Sequence, residues 1–311
     1  MHIAVIGAGN MGCVYGSNLA RIDEQVTMID PGEEHVRAMR ERGLEMAGLH
    51  GDFVVRVDAT TDPATISEVD VAIVLVNTYS TSDAAEAAKM MLKEDGYAVT
   101  LQNGLGNVEI LMGVLGDHRV MAGLSFHSGD LSAPGKVLHT NSGPTYLGEL
   151  DGSQSERLLA LNDVMAKAEM APVLADDIVA TMWGKFVHNC GINAVCAITD
   201  LRPGNLQEVP AVDDFQTRII EEVVALAQAK GIEISEERPV EAVKTYCSTK
   251  FHRVSMVQHL ARGRMTEIDA LNGYVVRESE KLELKAPYND ALTQLIKGLQ
   301  HQPVNKTQVG N

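Results

Sequence analysis

The sequence predicts an α/β chain of two domains, a mostly parallel sheet with flanking helices over residues 1–175 and an all-α domain over residues 176–311. Three observations carry that reading. The 311 residues are about twice the roughly 150-residue norm for one domain. The first half alternates short runs rich in β-branched residues with amphipathic segments, whereas from about Asp176 onward nearly every segment has helical period. A glycine-rich turn, Gly7-Ala8-Gly9-Asn10-Met11-Gly12, sits between the first apolar run and the first amphipathic segment.

Taken in order, residues 1–6 are expected as a strand, 10–20 as a helix, 25–29 as a second strand and 33–42 as a helix closed by Gly43. Such β-α-β units build parallel sheets. Residues 71–76 form a continuous Val/Ile/Leu run suited to a strand buried on both faces, and 98–101 is a shorter one. Segments 44–57, 136–139 and 145–150 alternate over short distances between turn residues, which predicts antiparallel additions that make one end of the sheet mixed. Helices follow at 177–198, 208–229, 240–250, 267–284 and 289–300, separated by Pro203, Gly231, Pro239, Gly263 and Pro287. The tail from His301 has no periodicity and is expected to fray.

Composition narrows the function. With 45% hydrophobic and 22% charged residues there is ample material for buried cores, and disorder is excluded. The net charge of −16 opposes non-specific binding to nucleic acid or anionic membranes, so an anionic ligand must be held by local groups. The longest aliphatic run, 71–76, is far short of the roughly 20 residues of a membrane span, and the N-terminus lacks a signal-like stretch, so a cytoplasmic protein is expected. Cys13, Cys190, Cys196 and Cys247 show no CxxC spacing and no metal pattern with histidine, so reduced, buried thiols are expected and a metal site is not.

The glycine turn is GxGxxG at a strand-to-helix junction, the context in which it reads as a dinucleotide fingerprint. Gly7 permits the tight turn, Gly9 lets backbone N–H groups approach the pyrophosphate, and Gly12 lets the helix pack closely, its N-terminus facing the anion. Asp30 ends the second strand, where its carboxylate suits the ribose hydroxyls and repels a 2′-phosphate. NAD(H) is therefore expected over NADP(H). The competing reading is a plain glycine turn with Asp30 capping the next helix.

Lys185, Asn189 and Asn193 fall at i, i+4 and i+8 on a helix otherwise made of Trp183, Phe186, Val187, Cys190, Ile192, Val195 and Ile198. The row is either an exposed face or a ligand-facing stripe, because an unpaired buried ammonium is costly. Hydride transfer to a ketone builds negative charge on oxygen, and a partly desolvated lysine can donate the neutralising proton while neutral amides orient the substrate. A second polar cluster holds Ser255 and 264–269; Thr266 with Asp269 reads as a capping box at a helix start, whereas Glu267 and Ser255 are open between a structural and a site role. Gln102-Asn103-Gly104-Leu105-Gly106 follows a strand, which places Asn103 at the carboxyl edge of the sheet where α/β folds bind ligands.

Together with Trp183-Gly184-Lys185, Ser255-Met256-Val257-Gln258, Thr266-Glu267-Ile268-Asp269, Asn272-Gly273 and Pro287-Tyr288-Asn289, these motifs resemble the ketopantoate reductase family from Met1 to about Gln300. The resemblance implies a Rossmann-type N-terminal domain, a helical C-terminal domain for substrate and dimerisation, and reduction of a small anionic 2-oxo acid to its D-hydroxy acid, as in pantothenate synthesis. It implies Lys185 as general acid, Glu267 as a catalytic-site carboxylate near the substrate and cofactor ribose, and Asn103, Asn189, Asn193 and Ser255 as substrate or nicotinamide contacts. A homodimer is the family-level expectation. Two positions depart from the family pattern: Asp30-Pro31 stands where many members carry an Arg for the 2′-phosphate, and Asn77 stands where members carry a Lys beside the cofactor. The departures keep open an NAD-dependent D-2-hydroxyacid dehydrogenase or an imine or opine reductase on the same scaffold. A non-catalytic NAD(H)-binding sensor would keep the glycine loop but has no need of the Lys185 stripe.

Overall fold

The computed structural model describes residues 1–301, so the expected fraying beyond His301 lies outside the described residues. The chain forms two compact units, Met1–Gln102 with Asn107–Ile178, and Asn103–Gly106 with the residues from Val179 onward. The first unit runs β1 (His2–Ile6), α1 (Asn10–Arg21), β2 (Gln25–Ile29), α2 (Glu33–Arg42), β3 (Leu44–Gly48), β4 (Phe53–Val55), β5 (Asp58–Thr60) and β6 (Val69–Val74). It continues through α3 (Thr81–Met91), β7 (Leu92–Thr100), α4 (Asn107–Leu115), β8 (Val120–Ser125), β9 (Ser128–Ala133), β10 (Lys136–Asn141), β11 (Thr145–Gly148), α5 (Glu156–Lys167) and β12 (Pro172–Leu174).

An eight-stranded sheet has the order β12-β11-β8-β7-β6-β1-β2-β5. Its centre is parallel, β1 pairing with β2 on one side and β6 on the other. Successive strands thus leave β1 in opposite directions, and the crevice at that reversal is where open α/β sheets bind ligands. The continuous apolar runs occupy these central strands because Ile3, Val5, Val71 and Ile73 must be covered on both faces, and each is at most 1% exposed. The sheet is mixed at one end, as expected, through the antiparallel pair β8–β11.

The other alternating segments behave differently from the expectation. β3, β4, β9 and β10 leave the main sheet and form a second one, ordered β4-β3-β10-β9, in which β3 and β10 run parallel. Alternation gives these strands a single apolar face, with Leu44, Met46 and Val137 buried, and one helix suffices to cover it. That helix is α1, which packs on β3, β4, β9 and β10.

The second unit contains α6 (Ile178–Thr199), α7 (Pro210–Ala229), α8 (Pro239–Cys247), α9 (Ser255–Ala261), α10 (Asn272–Lys281) and α11 (Pro287–Gln300). Its core joins Trp183, Phe186 and Val187 of α6 with Ile219, Ile220 and Val223 of α7, Tyr274 and Val275 of α10, and Leu292 and Ile296 of α11. The helix expected over 267–284 is broken: Ile268–Ala270 is a short 3-10 turn and α10 starts only at Asn272. Only half of the expected capping box forms: Thr266 Oγ1 accepts the Ile268 N–H at 3.3 Å, but the Thr266 N–H and hydroxyl are donated to Gln300 Oε1 of α11, both at 2.7 Å, and the Asp269 carboxylate takes Lys297 Nζ at 2.7 Å. All four cysteines are free and buried, and burial pushes each thiol above its ordinary range.

Candidate active site

The turn from β1 to α1 is shaped by what its glycines cannot carry. Gly7 has φ +95°, a left-handed value that side chains resist, and a Cβ there would lie 2.8 Å from the Val76 backbone nitrogen. A Cβ on Gly12 would lie 1.9 Å from the Gly7 carbonyl oxygen, so α1 approaches the turn as closely as backbone allows. At Gly9, by contrast, a Cβ would meet nothing within 4 Å. Two glycines close the turn and the third keeps its outer side clear, which suits the pyrophosphate of a dinucleotide set against a helix N-terminus. Ala8 is fully buried, Met11 packs on the core and Asn10 Oδ1 accepts the Leu131 N–H at 3.0 Å.

Asp30 directly follows β2, and its neighbour Ile29 accepts the Gly7 N–H at 2.8 Å, which ties the acid to the glycine turn. One Asp30 oxygen also accepts the Gly32 N–H at 2.9 Å at the entrance to α2. The structural and ligand readings of Asp30 therefore coexist, since a carboxylate has capacity for several hydrogen bonds. Asn77 is exposed in the turn after β6, where its Nδ2 donates to the Tyr79 hydroxyl at 2.9 Å. Gln102 fastens that turn, donating Nε2 to Val76 O and Thr81 Oγ1, each at 2.9 Å.

In the second unit Lys185, Asn189 and Asn193 lie along α6 with the predicted spacing, Lys185 and Asn189 half-buried and Asn193 8% exposed. Burial drives the Lys185 ammonium down to about 8, the Glu267 carboxylate opposing that shift. Burial likewise raises Glu267, opposed by its hydrogen bond from Asn103 and by Lys185. Both members of the pair are thus moved toward neutrality, the state in which a proton passes at little cost. Asn103 Nδ2 lies 3.4 Å from Glu267 Oε2. It arrives there because Gly104, with φ +80°, abuts Ala270, where a Cβ would be 2.6 Å from the Ala270 oxygen, and because Leu105 N–H donates to that oxygen at 3.1 Å. Asn272, fully buried, donates to Cys190 O at 3.1 Å and fixes the start of α10 against α6.

The structure therefore brings Lys185, Glu267 and Asn103 together and keeps Asn189 and Asn193 on the Lys185 helix. Ser255 opens α9 with its side chain exposed. Two residues before it, Arg253 has a buried Nε without a hydrogen-bond partner among the described residues. Sequence reading passed over this arginine, because one cation in a polar loop carries no periodic signal. Among the described residues no group of three or more His, Cys, Asp or Glu could hold a metal, and no helix is long and apolar enough to cross a membrane.

Residues 3–152 match the family described as Ketopantoate reductase PanE/ApbA, and residues 177–300 match its C-terminal part. The 2-dehydropantoate 2-reductase of Halobacterium salinarum is 30% identical over 298 residues, 96% of this chain and 98% of that protein. The crystal structure of a PanE/ApbA family ketopantoate reductase from Ralstonia eutropha JMP134 gives a TM-score of 0.89 at 30% identity, covering 96% of this chain and 98% of that one. A D-mandelate dehydrogenase solved with NADH and anilino(oxo)acetate gives 0.86 at 25% identity over the same shares. Matched in both halves and aligned with its relatives over nearly its whole length, the chain belongs to the ketopantoate reductase family and is a nicotinamide-dependent oxidoreductase acting on a CH–OH group.

Proposed function

We propose that this enzyme reduces a 2-oxo acid at C2 to the D-2-hydroxy acid, with 2-dehydropantoate as its first-choice substrate and NADH as its preferred cofactor. The observation that carries the reading is Lys185, a half-buried ammonium lowered to about 8 beside Glu267. When bound, the dihydronicotinamide supplies the hydride. Lys185 gives its proton to the carbonyl oxygen as charge develops there, and Glu267, held by Asn103, balances the ammonium and orients it. Asn189, Asn193 and Ser255 bond the substrate's oxygen atoms without adding charge. Gly7 to Gly12 would hold the pyrophosphate and Asp30 the adenosine ribose, and Asn77 and Asn103 would each be cofactor contacts. Arg253, whose buried Nε has no hydrogen-bond partner among the described residues, would be a fixed positive charge available to a substrate carboxylate.

A second reading, an NAD-dependent D-2-hydroxyacid dehydrogenase, is favoured by Asp30 and Asn77 and by the likeness to a D-mandelate dehydrogenase solved with NADH. Initial rates on a panel of 2-oxo acids, ketopantoate and phenylglyoxylate included, with NADH and NADPH in parallel, separate the two. A marked preference for ketopantoate supports the first. Turnover confined to aryl or unbranched 2-oxo acids supports the second, activity only on imines formed from an amine and an oxo acid supports an imine reductase, and cofactor binding without turnover supports a sensor. The same reading places a homodimer in the cytoplasm, and light scattering tests the dimer.

A further inference from the structure

The glycine turn is held from behind through three side chains, those of His35, Cys13 and Asn10. His35, on α2 and 8% exposed, donates Nε2–H to the Ala8 carbonyl at 2.8 Å. Its other nitrogen, Nδ1, accepts the N–H of Gly135 at 2.9 Å, and a backbone amide can donate only to an unprotonated ring nitrogen, so the ring proton sits on Nε2. Gly135 is buried in the turn between β9 and β10. The Cys13 thiol donates to the same Ala8 oxygen at 3.1 Å. The second connection is at Asn10, whose Oδ1 accepts from the β9 amide of Leu131 at 3.0 Å. Gly129 of β9 lies so close to α1 that a Cβ there would be 2.7 Å from Val14 Cγ2. Two residues of the turn, Ala8 and Asn10, are therefore each tied to the β9–β10 hairpin, one through an imidazole and one directly.

We propose that the four-stranded sheet serves as a rigid backing for the phosphate-binding turn, with His35 and Asn10 as positioning residues that preset the turn for the cofactor pyrophosphate. A turn whose amides already point outward loses less freedom when the anion arrives, so the backing raises affinity without contacting the ligand. The fully buried Ala8 carbonyl needs its donors in any case, and it takes them from two different helices, α1 and α2. The proposal rests on the reading of Gly7 to Gly12 as the pyrophosphate cradle.

Titration of NADH fluorescence, with thermal melts on the same samples, tests both. Gly9→Ala addresses the cradle alone: Gly9 has an ordinary extended backbone and room for a methyl on the protein side, so the melt should not move while NADH binding weakens on the order of tenfold. His35→Leu removes one donor and one acceptor behind the turn, and the dissociation constant should rise about three- to tenfold, the effect of one to two net hydrogen bonds. KM for NADH rises with it, while kcat at saturating NADH stays within about twofold of the unmodified enzyme. His35→Gln, whose amide offers one donor and one acceptor, should recover most of the affinity; a merely structural role would lower the melting temperature and leave the affinity of the folded protein unchanged. Should His35→Leu not fold, Asn10→Ala removes the other tie with His35 intact, and its dissociation constant for NADH should rise by a similar factor. Normal NADH affinity in whichever of these folds, with Gly9→Ala weakened, overturns the backing; normal affinity in Gly9→Ala overturns the cradle instead.

Discussion

Raising the pH through about 8 should switch off the reductive reaction, and the residue responsible should be Lys185. An ordinary lysine stays protonated far above neutrality, but here burial moves the ammonium from 10.5 to about 8. That displacement corresponds to roughly 3 kcal/mol favouring the neutral amine and makes the ammonium a better proton donor by about two orders of magnitude. The protonated form is the acid for reduction, so kcat/KM for the 2-oxo acid should be level below about 8 and fall about tenfold per pH unit above it, reporting the free enzyme. Oxidation of the hydroxy acid should show the opposite limb, because there the neutral amine takes the proton. Glu267 holds the lysine up, so Glu267→Gln should move the limb to lower pH. Lys185→Ala should cost on the order of 10²–10⁴ in kcat and abolish the limb, and Lys185→Arg should not restore it, since a guanidinium does not release its proton in this range. The assay is loss of NADH absorbance across a buffer series of constant ionic strength. An unchanged limb in Lys185→Ala, or a limb that Glu267→Gln moves to higher pH, refutes the assignment.

NADH should bind more tightly than NADPH, and Asp30→Ala should narrow the gap; equal affinities in the unmodified protein would show that Asp30 only braces the turn before α2, through Gly32. Asn77→Lys should increase kcat/KM for ketopantoate by supplying a positive charge in the turn after β6, and no gain alongside already efficient turnover would show the departure at Asn77 to be silent. Acid should weaken the first unit through His139, which burial, then His50 and His127, lower to about 4. A histidine lowered on folding contributes stability that is complete above the unfolded value near 6.5 and is lost as the pH falls toward 4, on the order of 3 kcal/mol. Urea unfolding at a series of pH values should show that slope, and His139→Gln should flatten it.

What could be read from the sequence was whatever is written locally. The central strands announce themselves because burial on both faces leaves room only for Val, Ile, Leu and Ala, and the stripe from Lys185 to Asn193 is fixed by helical period alone. The separate four-stranded sheet was not legible, since it depends on β3 pairing with β10, about ninety residues later, and neither strand carries the address of the other. The broken helix before α10 misled for a related reason. Ile268, Leu271 and Val275 keep helical spacing straight through the break, while the partners that hold Thr266 and Asp269 in place, Gln300 and Lys297, come from α11. Asn103 was expected at the edge of the sheet, but only Gly104 pressed against Ala270 shows why it reaches Glu267. A single histidine on an amphipathic helix gave no hint that His35 faces inward to a backbone carbonyl.

The four buried cysteines give the molecule a built-in recorder of its own opening. Cys13 reports on the first unit, whereas Cys190, Cys196 and Cys247 report on the second. A thiol that is both enclosed and reluctant to ionise reacts with an alkylating reagent only during excursions that release it. Mass-resolved labelling of the native enzyme therefore times the excursions of the two units separately, without any probe being introduced. Addition of NADH should slow the clock at Cys13, which sits against the glycine turn, more than the clocks in the helical unit.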